Sequence, residues 1–282
     1  MIVDGNKLGE EIKEHVKKEV AQFSKCGETI NFTVVIVGQY PASVIYVERK
    51  GKACAEVGIN FNKIELDKNV TQQKLNATLL GLSNDSNVHG IMLQLPLPKE
   101  LKSREAINYI APQKDVDGLT AENFGRLTVD EAVLAPCTAR GILHILKSSG
   151  VKLAGADACV IGRSNIVGKP AALMLTGENA TVTLCHKQTK DLLKYTKNAD
   201  IIVAAAGSIG LVKGEMVKNG AAVVDVGINK LPSGKIVGDV EFASVAKRAG
   251  VISPVPGGVG PLTIAFLLDN IVKSYKLQKG GI

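Results

Sequence analysis

The chain has 282 residues, enough for two α/β domains or one large one, and its 45% hydrophobic content makes a sizeable core available. No apolar run approaches the roughly 20 residues that a helix needs to span a bilayer, so a membrane partner is not expected. The formal net charge of +7 favours anionic ligands. Because basic residues are scattered and aromatic residues are few, nucleic acid is disfavoured and phosphorylated or carboxylated small molecules are expected.

Cysteine usage and the first residues indicate the compartment. The five cysteines are an odd number, are widely spaced and include no Cys-x-x-Cys pair. This pattern is typical of reduced thiols in a cytoplasm, and it disfavours both a disulfide framework and a zinc site. The segment Met1–Lys7 lacks the basic and apolar regions of a signal peptide. We therefore expect a cytoplasmic protein with no metal site.

Predicted helices and strands alternate along the chain. Helical spacing of apolar residues covers 8–23, 41–57 and 71–82, and short apolar runs typical of strands cover 32–37, 61–66 and 90–95. After an irregular polar segment at 112–134 and a helical segment at 141–147, further strands are predicted at 158–161, 181–185, 201–205 and 221–226. Such alternation predicts βαβ units and parallel sheets.

We expect a two-domain α/β fold. A boundary near residue 138 assigns residues 1–138 to the first domain and residues 139–261 to the second. A final helix at 262–282 is expected to return to the first domain, so that the chain crosses between the domains twice. This arrangement leaves a cleft between two lobes, which is a common place for a ligand site.

The segment 160–170 follows a buried strand and opens a helix, where a parallel sheet holds a pyrophosphate on helix N-terminal amides. A P-loop is excluded because five residues, rather than four, separate Gly162 from Gly168. A nucleophile elbow is excluded because Ile166 replaces its second glycine. The dinucleotide pattern Gly-x-Gly-x-x-Gly is only approached, since Ser164 takes the place of the middle glycine. A purely structural turn therefore remains an alternative.

The next strand distinguishes between the two nicotinamide cofactors. It ends at Cys185 and is followed by Lys187, without the carboxylate that holds the ribose 2′-hydroxyl of NAD. Lys187 and Arg163 would attract a 2′-phosphate, which favours NADP, although both could be merely solvated charges. Small residues end later strands at Ala204–Gly207 and Asp225–Asn229 and would let a dinucleotide lie close to the sheet edge. The second domain is therefore expected to be Rossmann-like and to bind NADP.

The first domain carries residues suited to catalysis. Tyr46 and Lys50 are four positions apart and share one face of the predicted helix at 41–57, although such a pair is more often a solvated surface pair. The Tyr-x-x-x-Lys of short-chain dehydrogenases is disfavoured because there it follows the glycine-rich turn. Gln94 ends an apolar strand, where its amide could bond a ligand edge. The loop Lys114–Gly118 has two carboxylates, too few for a calcium loop but suited to a nitrogenous ring.

The segment Pro254–Thr263 contains three glycines and three prolines just before a predicted helix. Glycine lets the backbone approach a ligand closely, and proline stiffens the surrounding chain. A flexible linker would not need this stiffening. The segment is therefore either a ligand-binding loop or a rigid structural turn.

Six motifs follow one another along the chain: Tyr46–Lys50, Gln94–Pro98, Lys114–Gly118, Gly162–Pro170, Asp225–Asn229 and Pro254–Pro261. In their sequence and their order, these motifs resemble those of the bifunctional methylenetetrahydrofolate dehydrogenase/methenyltetrahydrofolate cyclohydrolase family over nearly the whole chain. One departure is Ala139-Arg140 after Pro136-Cys-Thr138, where the family usually has another proline. This departure concerns the local hinge rather than the chemistry.

The resemblance implies NADP-dependent oxidation of 5,10-methylenetetrahydrofolate to the methenyl cation and hydrolysis of that cation to 10-formyltetrahydrofolate, in one-carbon metabolism. It implies that Lys50 handles protons in the hydrolysis and that Gln94 modulates this step. It also implies that Tyr46 stacks on the folate ring system and that Asp117 binds the pterin. The first domain would then be the catalytic, folate-binding domain.

The same resemblance implies further binding residues and partners. The remaining substrate-binding residues are Leu95, Pro96, Pro256, Gly257 and Gly258. The cofactor-binding residues are Gly162, Arg163, Ser164, Ile166, Val167, Lys187, Gly207 and Ile228. The implied partners are tetrahydrofolate derivatives, polyglutamylated forms included, and a second copy of the chain in a homodimer formed through the nucleotide-binding domain.

Two alternatives belong to other classes. Another two-domain NADP-dependent oxidoreductase, of the shikimate or amino-acid dehydrogenase type, would need neither the loop Lys114–Gly118 nor Tyr46 and Lys50 ahead of the nucleotide turn. A non-catalytic nucleotide-binding or RNA-associated protein would show salt-dependent RNA binding and no turnover.

Overall fold

The computed structural model describes residues 1–281, which fall into two compact units. The three-stranded unit comprises Glu11–Ala135 and the described residues from Leu267 onward. The five-stranded unit comprises Met1–Glu10 and Pro136–Phe266. Each unit has its own parallel sheet and its own buried apolar core.

Helices and strands alternate through most of the described residues. The helices are α1 (Gly5–Lys25), α2 (Pro41–Val57), α3 (Gln72–Asn84), α4 (Ser103–Ile107), α5 (Ala121–Thr128), α6 (Cys137–Ser148), α7 (Gly168–Gly177), α8 (Leu193–Thr196), α9 (Phe242–Val245) and α10 (Val259–Gln278). The strands are β1 (Asn31–Val37), β2 (Asn60–Leu66), β3 (Gly90–Leu93), β4 (Asp157–Ile161), β5 (Thr181–Cys185), β6 (Ile201–Ala204), β7 (Ala222–Asp225), β8 (Asn229–Lys230), β9 (Ile236–Val237) and β10 (Val251–Ile252).

The last helix, α10, occupies Val259–Gln278 where the sequence predicts residues 262–282. Pro261 falls in its first turn, where the missing N–H of proline is tolerated. Ile282, the end of the predicted helix, lies outside the described residues. The division into domains at residues 138 and 261 stays a prediction. Within residues 1–281, no helix combines the length and the apolar character that a membrane crossing requires.

The sheet of the three-stranded unit is parallel, with β1 at its centre in the order β2-β1-β3. The run Phe32–Val37 is buried throughout, as expected for a central strand covered on both faces. Strand β3 ends at Leu93, two residues before the predicted end, although the backbone N–H of Gln94 still bonds Val35. Pro96 and Pro98 follow and lack the N–H groups that a longer strand would need.

Helix α2 begins and ends as the sequence predicts. Pro41 lies in its first turn, where its fixed φ suits helix entry. Gly58 follows the last turn with φ 83°, and the N–H groups of Gly58 and Ile59 bond the carbonyls of Ala55 and Cys54. This left-handed cap favours glycine and fixes the end of the helix.

The polar segment at 112–134, predicted to be irregular, contains the short helix α5. Its N-cap is Thr120, whose hydroxyl accepts a hydrogen bond from the N–H of Asn123. The prediction was wrong at this helix because eight residues are too short a run to establish a helical period. The threonine cap was the local signal that marked its start.

The five-stranded unit has a parallel sheet in the order β10-β7-β6-β4-β5. Its central strand β6 is completely buried between β4 and β7. Beyond β7, the short antiparallel pair β8 and β9 forms a hairpin that the sequence did not predict. The carboxyl ends of the parallel strands meet at one edge, so the loops after β4, β5, β6 and β7 lie near one another.

Candidate active site and nucleotide site

Lys50 and Gln94 are brought together in the three-stranded unit. Lys50 lies on α2 and is only 8% exposed, and its Nζ donates a hydrogen bond of 2.7 Å to Oε1 of Gln94. A second contact of 3.1 Å joins the same Nζ to Sδ of Met92 on β3. The amine is thus withdrawn from water and held by two neutral acceptors, an amide oxygen and a thioether. Such a group can exchange a proton with a ligand.

The amide of Gln94 is itself oriented. Its Nε2 donates a hydrogen bond of 2.7 Å to the carbonyl oxygen of Leu95, which turns Oε1 towards Lys50. The peptide bond that follows, Leu95–Pro96, is cis. Leu95 is half-buried and Pro96 is exposed.

Two further residues of α2 lie one turn from Lys50. Tyr46 is half-buried, which leaves part of its ring accessible. Cys54 is fully buried, and burial raises the pKa of its thiol to about 12, although the charge of Lys50 opposes the rise. A thiol with this pKa stays protonated near neutral pH, so Cys54 is no nucleophile. Tyr46 is the member of this pair that remains suited to a ligand.

The two carboxylates of the loop Lys114–Gly118 have different surroundings. Asp115 is 1% exposed and accepts hydrogen bonds from the N–H of Thr120 at 2.7 Å and from Nδ2 of Asn123 at 3.0 Å. Burial raises the pKa of Asp115, and these donors oppose the rise. Asp117 is only half-buried. Asp115 therefore shapes the loop, whereas Asp117 is the carboxylate that remains partly accessible.

The loop before α10, which belongs to the five-stranded unit, depends on two glycines. Gly257 has φ 98°, in the region that side chains rarely adopt, and its carbonyl accepts a hydrogen bond from the N–H of Gly5. A Cβ on Gly258 would lie 2.5 Å from the carbonyl oxygen of Pro254. Pro256 is exposed and follows a cis peptide bond. The two glycines thus let this loop pack closely on neighbouring backbone.

The turn between β4 and α7 is also built around glycines. Gly162 has φ 118°, and a Cβ at this position would lie 2.0 Å from the carbonyl oxygen of Ala205. A Cβ on Gly168 would lie 1.8 Å from the carbonyl oxygen of Gly162. Ser164 accepts hydrogen bonds through Oγ from the N–H groups of Val167 and Gly168. Ser164, which departs from the dinucleotide pattern, therefore caps the start of the helix.

This turn leaves backbone donors available to a ligand. Among the described residues, none accepts a hydrogen bond from the N–H groups of residues 163–166. They precede the N-terminus of α7, where the helix dipole favours negative charge. The arrangement fits a phosphate group.

The remaining predicted cofactor residues lie at the same sheet edge. Ile161 and Cys185 are paired in β4 and β5, so Arg163 and Lys187 follow neighbouring strand ends, and both are exposed. The others, which lie in the turn after β4 and in the loops after β6 and β7, are Ile166, Val167, Gly207 and Ile228. Exposed apolar side chains such as Ile166 and Ile228, 43% and 57% exposed, suit contact with a flat ring.

Two buried carboxylates of the five-stranded unit were missed by the sequence analysis. Asp225 ends β7, and Asp239 follows β9; both accept hydrogen bonds from backbone N–H groups of the sheet-edge loops. Asp225 lies in the segment Asp225–Asn229, whose small residues predict close approach of a dinucleotide but give no role to the carboxylate. The flanking Gly227 and Gly238 were the available sequence signal, because a carboxylate buried among backbone amides needs space beside it.

The fold and these sites define a two-domain α/β enzyme with a nicotinamide-dinucleotide domain. The family model "Tetrahydrofolate dehydrogenase/cyclohydrolase, catalytic domain" matches residues 3–117, and the model of the NAD(P)-binding domain of the same family matches residues 136–279. The chain therefore belongs to the tetrahydrofolate dehydrogenase/cyclohydrolase family.

Relatives agree with this assignment over the whole chain. The bifunctional protein FolD of Nautilia profundicola is 45% identical over 275 residues, which are 98% of this chain and 97% of the relative. The crystal structure of the bifunctional FolD methylenetetrahydrofolate dehydrogenase/cyclohydrolase of Campylobacter jejuni is 47% identical, with a TM-score of 0.96 over 98% of this chain and 99% of that one. The Trypanosoma brucei enzyme, solved with NADP and an inhibitor, is 38% identical, with a TM-score of 0.94 over 98% and 97%.

These matches confirm the predicted family, the two-domain α/β fold, the bifunctional dehydrogenase/cyclohydrolase activity and the NADP cofactor. Shikimate 5-dehydrogenase of Thermus thermophilus shares only the fold, at 18% identity and a TM-score of 0.54. The alternative of a shikimate-type dehydrogenase is therefore not supported.

Proposed function

We propose that Lys50 is the acid–base residue of the hydrolytic step and that Gln94 positions its amine. The observation that supports this proposal is the 2.7 Å hydrogen bond between Nζ of the buried Lys50 and Oε1 of Gln94. Lysine is the one member of the pair that can accept and return a proton. Gln94 stays neutral and fixes the position of the amine.

The hydrolysis needs a proton removed and a proton returned. Water attacks the methenyl carbon, its oxygen forms a bond to that carbon, and one water proton passes to the neutral amine of Lys50. When a carbon–nitrogen bond of the five-membered ring breaks, the electron pair goes to nitrogen and the ammonium of Lys50 returns the proton there. The hydroxyl group of the adduct releases its proton to solvent as the formyl carbonyl forms. The product is 10-formyltetrahydrofolate. A positioned acid–base group typically contributes about 10²–10⁴-fold to such a step.

NADP fits the residues of the five-stranded unit. The N–H groups of residues 163–166 would hold its pyrophosphate, and Arg163 and Lys187 would hold the 2′-phosphate. Gly162 and Gly207 would allow close backbone approach, and Ser164 and Val167 would keep the turn in shape. When bound, NADP⁺ supplies the acceptor for the hydride of methylenetetrahydrofolate.

Most of the residues assigned to the folate are at least partly accessible in the structure, whereas Gly258 is buried. Tyr46 is proposed to stack on the ring system, and Asp117 to accept hydrogen bonds from the pterin. The remaining proposed substrate contacts are Leu95, Pro96, Pro256, Gly257 and Gly258. Support comes from the partial exposure of Tyr46 and Asp117 and from the exposure of Pro96 and Pro256.

The assignment of roles can be tested with the purified protein. Given methylenetetrahydrofolate and NADP⁺, it is expected to form NADPH and then 10-formyltetrahydrofolate. Given methenyltetrahydrofolate alone, it should hydrolyse this compound without NADP⁺. If hydrolysis required NADP⁺, the separate role of Lys50 and Gln94 would be contradicted.

We further propose a homodimer formed through the five-stranded unit and a cytoplasmic location. Strand β5 is an edge strand of its sheet, and an edge strand offers unpaired backbone groups to a second copy. No disulfide joins the five cysteines, which all lie within residues 1–281, as is usual in a reducing compartment. Analytical ultracentrifugation and cell fractionation test these two statements.

The net charge of +7 supports the proposal that polyglutamylated folates are substrates, because each added glutamate brings a carboxylate. We expect a lower KM for a folate with five glutamates than for one with a single glutamate. The difference in KM should shrink as the salt concentration is raised. Equal KM values at low salt would contradict it.

A further inference from the structure

The side chain of Asp239 accepts hydrogen bonds from backbone N–H groups of the loop that follows β6. Its side chain is fully buried, and its Oδ2 accepts hydrogen bonds from the N–H groups of Ala206 at 2.6 Å and Gly207 at 2.8 Å. Its Oδ1 accepts a third from the N–H of Ser208 at 2.8 Å. Three consecutive backbone N–H groups directed at one anion form a nest, an arrangement that binds phosphate in other proteins. Here the protein supplies the anion itself.

The same carboxylate links this loop to the start of β8. Strands β6 and β7 are paired, and the loop after β7 leads into β8, whose first residue, Asn229, donates a hydrogen bond of 2.9 Å through Nδ2 to Oδ1 of Asp239. Asp239 therefore accepts four hydrogen bonds, three from the loop after β6 and one from the start of β8.

A second carboxylate fixes the first. Asp225 accepts hydrogen bonds through Oδ1 from the N–H groups of Gly227 and Asp239, both at 2.9 Å, and through Oδ2 from the N–H of Val240 at 3.0 Å. The flanking glycines leave room for this pair. A Cβ on Gly227 would lie 2.3 Å from Oδ1 of Asp239, and a Cβ on Gly238 would lie 1.8 Å from Oδ2 of Asp225.

The loop that Asp239 holds lies directly against the nucleotide turn. The carbonyl oxygen of Ala205 would be 2.0 Å from a Cβ on Gly162, so the two backbones are in close contact. The loop that Asp239 holds thus begins directly after the residue that packs against the turn.

We propose that Asp239 is a positioning residue for the dinucleotide, an inference that rests on the proposed NADP site. By occupying the N–H groups of residues 206–208, it removes them as phosphate donors and fixes Gly207 for close backbone approach to the cofactor. Hydrogen bonding to the pyrophosphate is then left to residues 163–166. Asp239 acts through the loop and does not itself touch the cofactor.

The test is the Asp239→Asn variant, titrated with NADP by isothermal calorimetry. An asparagine must direct its NH₂ group at two N–H donors in either orientation, so the loop loses its anchor. Loss of hydrogen bonds to a charged acceptor predicts a dissociation constant for NADP raised by about tenfold or more. Hydrolysis of methenyltetrahydrofolate, measured without NADP⁺, should retain its kcat and KM.

Asp200→Asn is the matched control. Asp200 also accepts a backbone N–H, from Asp157, but it precedes β6 at the opposite edge of the same sheet. This variant should bind NADP as the wild type does. Asn229→Ala, which removes only one of the four hydrogen bonds, should raise the dissociation constant by a smaller factor, and it serves if Asp239→Asn fails to fold.

Two results would overturn the inference. One is wild-type affinity for NADP in Asp239→Asn, or in Asn229→Ala if the first variant does not fold. The other is a proportional loss of NADP binding and of hydrolysis, which would show a merely structural role. A wild-type protein that binds NADP but fails to turn over folate would contradict the roles proposed for the folate residues. The comparison of NADP affinity between the wild type and Asp239→Asn would still test the role of Asp239.

Discussion

Nζ of Lys50 lies 2.7 Å from Oε1 of Gln94, although the two residues are 44 positions apart in the chain. The opposite end of the Gln94 amide is fixed by the carbonyl of Leu95. In Gln94→Glu, a carboxylate would face the amine and hold Lys50 in its charged form. We expect hydrolysis at neutral pH to fall by about 10²-fold, at the lower limit for loss of an acid–base group, and hydride transfer to fall less.

The measurement for this variant is the rate of methenyltetrahydrofolate hydrolysis beside the rate of NADPH formation. Gln73→Glu introduces the same charge at an exposed position of α3 and should leave both rates unchanged. Hydrolysis at the wild-type rate in Gln94→Glu would show that the amide has no part in the step.

The cofactor preference is expected to depend on Arg163. Removing its guanidinium in Arg163→Ala should weaken NADP by about 10–100-fold, as for a lost charged hydrogen bond, and NAD hardly at all. Dissociation constants for both cofactors give the answer. Lys197→Ala, an exposed lysine after α8, is the control for a general loss of positive charge. Equal effects on NADP and NAD would contradict the assignment of the 2′-phosphate.

A methyl group at Gly162 should abolish tight NADP binding. The Cβ of Gly162→Ala would lie 2.0 Å from the carbonyl oxygen of Ala205, and φ 118° is unsuited to alanine. The turn must therefore shift, and calorimetry should show little or no NADP binding. Gly81→Ala, in open space on α3, should bind NADP normally. Tight binding by Gly162→Ala would mean that the turn is not the phosphate site.

The buried Asp225 predicts a pH dependence of stability. Burial raises the pKa of Asp225 from 3.8 to about 6, and the charge of Asp239 adds to the rise, while three backbone N–H donors oppose it. Since the folded state favours the protonated form, this contribution is fully present below pH 3.8 and is lost as pH rises through about 6. Roughly two pKa units correspond to about 3 kcal/mol in the free energy of unfolding.

Asp225→Asn removes this titration. Urea unfolding of the wild type and the variant should give free energies whose difference changes between pH 4 and about 6, with the wild type losing stability relative to the variant. A constant difference across this range would show that Asp225 keeps an ordinary pKa in the folded protein.

The sequence was sufficient for those features that depend on local pattern. The apolar run Phe32–Val37 predicts a buried strand, and Pro41 and Gly58 mark the ends of α2. The importance of Lys50 and Gln94 followed from a resemblance of motifs. Their contact could not be predicted, because it depends on how α2 packs beside β3.

The buried carboxylates show what local pattern cannot supply. Asp239 is 33 positions from Ala206, whose N–H it accepts, and nothing near either residue indicates the other. The glycines beside these aspartates are a local signal, but which loop amides each carboxylate binds is visible only once the strands have been placed in order. The short helix α5 was missed for a different reason, since eight residues are too few to establish a period.

The central claim, that Lys50 exchanges protons in the hydrolytic step, is tested most directly by measuring both activities in Lys50→Met. Methionine keeps the length and apolar stem of the side chain but has no proton to exchange. We expect hydrolysis to fall by about 10²-fold or more and hydride transfer to NADP⁺ to persist, while Lys52→Met, an exposed position on the same helix, leaves both unchanged. Equal losses of both activities in Lys50→Met would contradict this role and make Lys50 a binding or structural residue.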